Sequence, residues 1–389
     1  MSKRSLAIGL CFLLICSLVI PLSLGLYVKN LDVGQLSFSC GDYIPHEPIY
    51  INGNDDFIIG QNGITFGEGT PDNPYLINDW KINASTADGI YIKNSDVYFI
   101  IENCYIHEGE FNYSGIVFKD VINGRINSTY SNKNKNGIFL EGNCQHITIS
   151  NSSLNYNKFG IIIGGSFINI FNNSISYSVL DGIVLSSDDS VIEGNIISYN
   201  GHDGIDGNEA NNNTYVNNSI FSSYRGILLS KSYGSTIISN TISLNSDSGI
   251  FLHSSYNNNI TVNSIFENGQ GIEFTYSHNN YILNNNITAN KLYNIWFYGW
   301  SNTNIISYNV ISSSYIGIFY PEAQYNKILH NNINYNKRNA LFQSVPNTWD
   351  SNYWDRSRLF PKIIFGTILF IPWFNIDWHP AKEPYDIGG

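Results

Sequence analysis

The sequence predicts an all-β fold, a single-stranded parallel β-helix (solenoid) of about 12 coils with N- and C-terminal caps. Three observations carry this. First, a Gly-Ile pair returns at Gly89, Gly115, Gly137, Gly160, Gly182, Gly204, Gly226, Gly249, Gly271 and Gly317, at spacings of 22 or 23 residues after a first gap of 26, once Asn294 is counted in the series. Second, asparagines recur in phase, two positions before an apolar residue: Asn173, Asn195, Asn218, Asn240, Asn263, Asn285, Asn309 and Asn331. Third, each unit holds three short runs rich in Ile and Val, separated by Gly, Asn, Asp and Ser, with no apolar spacing of three and four that would make a helix. A unit this short is too small for a propeller blade, which leaves one coil of a solenoid. Stacked at ~4.8 Å per coil, the repeats make a rod of roughly 55–60 Å.

The elements follow from the N-terminus. Residues 1–28 carry Lys3 and Arg4 and then a mostly apolar stretch from Leu6 to Val28, read as a cleaved signal peptide or an uncleaved signal anchor. Either puts the rod outside the cytoplasm, extracellular or at the cell surface, with any membrane contact made through this segment. Residues 29–88 are non-repetitive and are expected to form an N-terminal cap with a first irregular coil. The repeats occupy 89–344. Within them the corner column is filled by Gly, or by Asn294 and Asn339, residue types that enter the left-handed backbone region readily, so a sharp left-handed corner is expected there. The asparagine column is expected to satisfy turn backbone along the axis, and a looser column (Asn157, Asn200, Asn245, Asn268, Asn290, Asn336) to do the same. Residues 345–389 form an aromatic C-terminal cap or tail holding Trp349, Trp354, Trp373 and Trp378. Its apolar run Ile363 to Phe374 is too short to span a bilayer.

Composition narrows function. Only 13% of residues are charged, the net charge is −11, and no Lys/Arg cluster follows a column, which disfavours nucleic acid as a partner. Cys40, Cys104 and Cys144 lie beyond the apolar segment at no metal-ligand spacing, so one disulfide with a free thiol and three free thiols are both compatible with the sequence.

The Gly-Ile coils, the Asn73-Pro-Tyr-Leu-Ile77 entry and the tail Asn347-x-Trp-x-x-Asn-Tyr-Trp-Asp355 with Pro384-Tyr-Asp-Ile387 resemble the NosD-like family of exported right-handed parallel β-helix proteins. The resemblance spans about residues 45 to 388. It implies right-handed coils and an accessory role in copper-enzyme maturation, while relatives sharing these coils bind or process polysaccharides. The residues do not favour copper: soft sites draw on Cys, Met and His, Met1 is the only methionine, and no two histidines share a coil at ligand spacing. No metal ligand set and no cofactor are expected.

Two columns are candidates for chemistry. The residue before each corner stacks Asp181, Asp203 and Arg225 on successive coils, with His202 beside Asp203 and Asp206 two residues past Gly204. Carboxylates about 5 Å apart raise one another's proton affinity, as acid–base catalysis requires. The alternative is ordinary turn chemistry with Arg225 neutralising a neighbour. Two residues past the corner, an outward stripe includes Tyr91, Phe139, Phe251, Trp296 and Phe319, closing with Phe342 and interrupted by Asp206. Such a stripe is either covered, by the C-terminal run or a second subunit, or used to stack sugar rings. The leading expectation is a non-catalytic exported protein that binds carbohydrate or a cell-surface protein along this face. The competing ones are a hydrolase, lyase or epimerase acting on polysaccharide through Asp181, His202, Asp203 and Arg225, and the copper-enzyme accessory role.

Overall fold

The structure, a computed structural model, describes residues 43–344 and 346–387. The apolar stretch from Leu6 to Val28, with Cys11, Cys16 and Cys40, lies outside them. Each coil gives one strand to each of three sheets, as in Ile183–Asp188 (sheet I), Val191–Glu193 (sheet II) and Ile196–Ser198 (sheet III). Sheet I has 13 strands, sheet II 16 and sheet III 14. Strand pairing is parallel between coils throughout the rod. The antiparallel exceptions among the strand pairs are Ile64–Phe66 against Tyr75–Asn78 at the start of sheet II and a hairpin, Lys362–Ile368 with Ile371–Asp377, at its end. The first coil opens earlier than the glycine series: Ile44–His46 pairs with Trp80–Asn83, and Ile49–Asn52 with Ile90–Ser95.

Isoleucines stack in register down each sheet. In sheet I, Ile161, Ile183, Ile205, Ile227, Ile250, Ile272, Ile295 and Ile318 are successive partners, all fully buried. Sheet III repeats this with Ile175, Ile197, Ile220, Ile242, Ile265 and Ile287. Each such side chain contributes about 2 kcal/mol of burial, and its β-branch fits the extended backbone of a narrow core. Strand alternation turns the residue three past the corner inward as well: Leu185, Leu229, Leu252, Phe274 and Phe297 are buried.

The corner glycines are not left-handed; none of the Gly-Ile series has positive φ. Their reason is close approach between coils. A Cβ on Gly182 would lie 2.6 Å from the carbonyl oxygen of Gly204, and one on Gly204 would lie 2.7 Å from that of Gly226. The left-handed residues sit instead immediately before the ladder residues: Asn172, Gly194, Asn217, Ser239, Val262 and Asn284 before asparagines in one turn, and Tyr156, Tyr177, Tyr199, Ser222 and Leu244 before Asn or Ser in another. That geometry turns the asparagine inward. Asn240 donates from its backbone N–H (2.9 Å) and its amide (3.0 Å) to Oδ1 of Asn263, and its amide also reaches the carbonyl of Tyr215 on the preceding coil at 2.9 Å. The same bonds repeat from Asn173 to Asn352, where Asp377 ends the ladder as acceptor. A further ladder, absent from the sequence reading, begins with alternating Ser and Asn and continues as Asn alone: Ser190, Asn213, Ser235, Asn258, Asn280, Asn304 and Asn326.

At the C-terminal end only part of the aromatic segment covers the core. Trp349 and Trp354 are buried, and Gly366 of the hairpin lets its strand press onto Phe342. Trp373 and Trp378 face outward. The hairpin continues the stack beyond the last coil, so the C-terminal run does not lie along the sheet I stripe. Cys104 and Cys144 are free and buried, not paired with each other.

Because Asn263 links four carbonyl and amide partners across three coils, Asn263→Ala is expected to lower the unfolding free energy by about 2–4 kcal/mol. A urea titration measures this. Tyr177→Ala, which removes only an external ring stack with Tyr156 and Tyr199, should cost less than about 1 kcal/mol.

Candidate functional site

The column before the corner sits where the turn from sheet III enters sheet I. Stacking brings Asp181, His202, Asp203 and Arg225 together, as the spacing required. Asp203 lies directly opposite Arg225 in the strand register, and Oδ1 of Asp181 accepts the Asp203 backbone N–H at 2.8 Å. The same oxygen is 2.8 Å from Nδ1 of His202. That contact fixes the ring, which stacks on Tyr224 with centroids 5.7 Å apart. His202 is 43% exposed on its side chain, so the histidine is reachable from outside while its Nδ1 is engaged.

Asp203 is the unusual member. It has no exposed surface. Its Oδ2 lies 3.3 Å from His202 Nδ1 and its Oδ1 3.1 Å from Arg225 Nε, yet neither contact has hydrogen-bond geometry, and Arg225 Nε is itself without a hydrogen-bond partner. The guanidinium is sandwiched instead, 5.2 Å from the ring centres of both Tyr224 and Phe251, with Asp247 at 3.9 Å. Burial pushes the Asp203 carboxyl up to about 7, with Asp181 and Asp206 adding to the shift against the pull of Arg225 and His202. Burial also raises Asp206, and the charge of Asp181 adds to it. Among the described residues, the buried carboxylate oxygens lacking a hydrogen-bond donor are both of Asp203 and one of Asp206. Asp181, His202 and Asp203 offer ligand atoms within 4.8 Å of one another. With Arg225 against Asp203, the set is better suited to sharing protons than to holding a cation.

The column two past the corner is one continuous register: Val184, Asp206, Leu228, Phe251, Glu273, Trp296 and Phe319 are successive partners. Tyr91 and Phe139 stand further up the same column. Tyr91, Phe139, Phe251, Trp296 and Phe319 are half-buried rather than free. The column ends at Leu341, not Phe342: Phe319 pairs with Leu341, while Phe342 pairs with the inward Tyr320 and is fully buried. The sequence reading ran one position past the corner at Asn339, and the two-residue alternation of the strand turned the result inside out.

Two residues that sequence reasoning missed extend the cluster. Glu273 is buried, accepts from Ser248 Oγ at 2.5 Å, and is raised by burial. Asp247 stands beside Arg225. An acid two past the corner reads as ordinary outward polarity; the available signal was its place in a column that is apolar except for Asp206. Unpaired buried polar atoms in these two columns are on Asn136, Asp203, Arg225 and Gln270 in one and on Asp206 and Trp296 in the other; others, such as those of Tyr215 and Tyr320, lie elsewhere in the coils. One cavity, lined by His46, Lys81 and His107, lies at the N-terminal end, and another, lined by Arg338, Trp354 and Lys362, at the C-terminal end; the cluster is at neither.

Comparison with known proteins bears on the fold. Residues 159–311 match the family model described as "Right handed beta helix region". No curated protein sequence matches the chain. Among solved structures, the A-module of mannuronan C-5 epimerase AlgE4 from Azotobacter vinelandii superposes with a TM-score of 0.57 at 16% identity, covering 77% of this chain and 99% of that one. The AlgE6 A-module from the same organism gives 0.50 at 14%, covering 81% and 91%. DFA-IIIase from Arthrobacter chlorophenolicus A6 gives 0.50 at 12%, covering 68% and 86%. At such identities the likeness is one of architecture. The chain is a right-handed parallel β-helix, and nothing in these matches narrows it to the NosD-like members.

Proposed function

We propose that the protein acts on carbohydrate along the outer face of sheet I, with Asp181, His202, Asp203, Asp206 and Arg225 as an acid–base centre. The observation that carries this is the Asp203 carboxylate: fully buried, without a hydrogen-bond donor to either oxygen, beside a histidine held by Asp181. A buried ion pair kept for stability has its remaining lone pairs satisfied, because an unsatisfied buried charge costs several kcal/mol. Carboxyls raised by burial and grouped with a partly exposed histidine are the pattern of proton-transfer sites.

The roles follow from geometry. With Nδ1 donating to Asp181, His202 presents Nε2 outward as a base. Asp206, half-exposed and held protonated to higher pH by burial and by Asp181, is the acid for a departing glycosidic oxygen. Asp203 and Arg225 set the field around both. Charge points to the substrate class. Even with Asp206 protonated, the carboxylates of Asp181 and Asp247 outnumber the one guanidinium of Arg225 when His202 is the neutral base, so an uncharged glycan fits this face better than a uronate polymer.

A second reading, binding without catalysis, is favoured by the half-exposed rings of Phe251, Trp296 and Phe319 on the same column. Copper-enzyme maturation draws no support from the cysteines. Cys104 and Cys144 are buried far apart in sequence, and burial pushes the Cys104 thiol up to about 12, away from the thiolate a soft metal requires. Export and placement at the cell surface are part of the proposal, since glycans of this kind are met there.

Two measurements test it. Neutral glucans, mannans, xylans and fructans assayed for new reducing ends should yield cleavage of at least one. His202→Gln and Asp206→Asn should each lower turnover about 10²–10⁴-fold while leaving retention on that glycan unchanged. Retention without any cleavage, lost in Trp296→Ala, would establish the binding reading instead.

The second measurement is stability against pH. The folded carboxyl of Asp203 is raised from 3.8 to about 7, so between these values the folded state holds a proton that the unfolded state has released, and wild-type stability falls as pH rises through this window. Asp203→Asn mimics the protonated form. It should be more stable than wild type above pH ~7, by at least about 1 kcal/mol, and equal to it near pH ~4. Urea midpoints across this range check the sign.

A further inference from the structure

The hairpin Lys362–Ile368/Ile371–Asp377 is joined by two residues, Leu369 and Phe370, with φ of 48° and 66°. This is the type I′ geometry that Asn-Gly fills without penalty; each bulky residue there costs about 1–2 kcal/mol. Both side chains project from the end of the rod, Leu369 83% and Phe370 97% exposed. Along the same hairpin Phe365, Ile371 and Trp373 are also exposed, as is Phe360 just before its base. Folding accounts for none of this: polar residues at the tip would be cheaper in water and in backbone strain.

The base of the hairpin differs from the rest of the chain in charge. Between Arg356 and Ile376 stand Arg356, Arg358 and Lys362 and no acidic residue, in a protein of net charge −11. Arg338 reaches the same place, donating to the Phe365 carbonyl at 3.0 Å. The acids on either side are engaged: Asp355 accepts from Asn339 and the Tyr335 backbone, and buried Asp377 from Asn352 and Trp354. An apolar tip, a cationic collar and a tryptophan between them match the layers of an anionic bilayer surface, from acyl chains through interface to headgroups.

We infer that the C-terminal hairpin inserts its Leu369–Phe370 tip into the interfacial region of an anionic lipid bilayer, with exposed Arg356 at the headgroups and half-buried Arg358 and Lys362 behind it. The hairpin leaves the core beyond the last coil, so the insertion places the end of the rod against the membrane and keeps the lateral face of sheet I clear. Among the described residues no helix is long and apolar enough to cross a bilayer, which leaves this contact as an interfacial one.

The test uses the full-length protein with vesicles of brominated phosphatidylcholine, with and without phosphatidylglycerol. Brominated acyl chains should quench tryptophan emission, more strongly with the anionic lipid, and Trp373→Phe should remove most of that quenching. The double variant Leu369→Asn/Phe370→Gly relieves the turn, so its urea midpoint should rise, which excludes misfolding, while partition to anionic vesicles falls on the order of tenfold or more. Quenching that is the same in wild type, Trp373→Phe and the double variant overturns the inference and assigns lipid contact to another segment such as residues 6–28. A sedimentation mass that drops in the double variant, with quenching unaltered, also overturns it and makes a second copy the occupant of the tip.

Discussion

The structure depends on one hydrogen-bonded unit, the asparagine that bridges consecutive turns. A narrow solenoid must turn three times per coil, and every turn points backbone N–H and C=O groups toward neighbours instead of water. An unpaired backbone group there would cost about as much as a lost core contact. Asparagine resolves this because its amide carries the same donor and acceptor as a peptide. Oδ1 of Asn285 takes the backbone N–H of Asn263 at 2.9 Å, and its amide gives protons to Ile260 of the preceding coil and Leu283 of its own. The bond works only if the next coil holds the same residue in the same place. Periodicity in the sequence is therefore a consequence of hydrogen bonding, and the stacked isoleucines are carried along in register.

That dependence explains which features could be read from residues alone. The coil count, the ladder from Asn173 to Asn331 and the stacking of Asp181, Asp203 and Arg225 all follow from equal spacing, and equal spacing is visible. The meaning of the glycine column was not, because two different causes select glycine. Left-handed backbone is one; the other is a carbonyl from the next coil standing where a Cβ would go, as Gly226 stands over Gly204. Spacing cannot separate them. Asn294 in this column enters by a third route, its amide donating to the Ser312 carbonyl from the extended backbone of the strand Tyr293–Tyr298. Glu273 and Asp247 escaped notice for the opposite reason. Each occurs once in its column, so no repetition marks it, and only the fold reveals that Glu273 is buried two coils past Leu228.

Against that background the Asp203 cluster is informative. A solenoid is energetically close to a sum of coils and interfaces between neighbours. A local cost can then be concentrated in two or three coils without spreading, provided the coils on each side are well satisfied. The asparagine ladder passes through Asn195, Asn218 and Asn240 with its bonds intact while the corner of the same coils carries a buried carboxylate lacking donors. The backbone at Asp203 is held by its own neighbours, its N–H bound to Asp181 Oδ1 and its carbonyl to the Gly182 N–H, and its carboxylate stays fully buried. Rigid support behind an electrostatically uncomfortable group is the arrangement in which shifted proton affinities survive in a folded protein.

The hairpin tip follows a different rule from the coils. Bulky residues do occur with left-handed backbone inside the rod: Phe167, Leu244 and Val262 all have φ between 57° and 59° or close to it, at 58°, 59° and 57° respectively. Each is held there by a backbone hydrogen bond to the next coil, Phe167 to Asp188, Leu244 to Phe266 and Val262 to Leu283. The stack imposes the conformation and the side chain is tolerated. Leu369 and Phe370 have no coil beyond them. Their turn is closed only by the two strands it joins, which asparagine and glycine would close with less strain. The stacking rule that dictates residue choice along the body of the rod therefore stops before the tip, and the exposed leucine and phenylalanine call for an environment other than water to explain them.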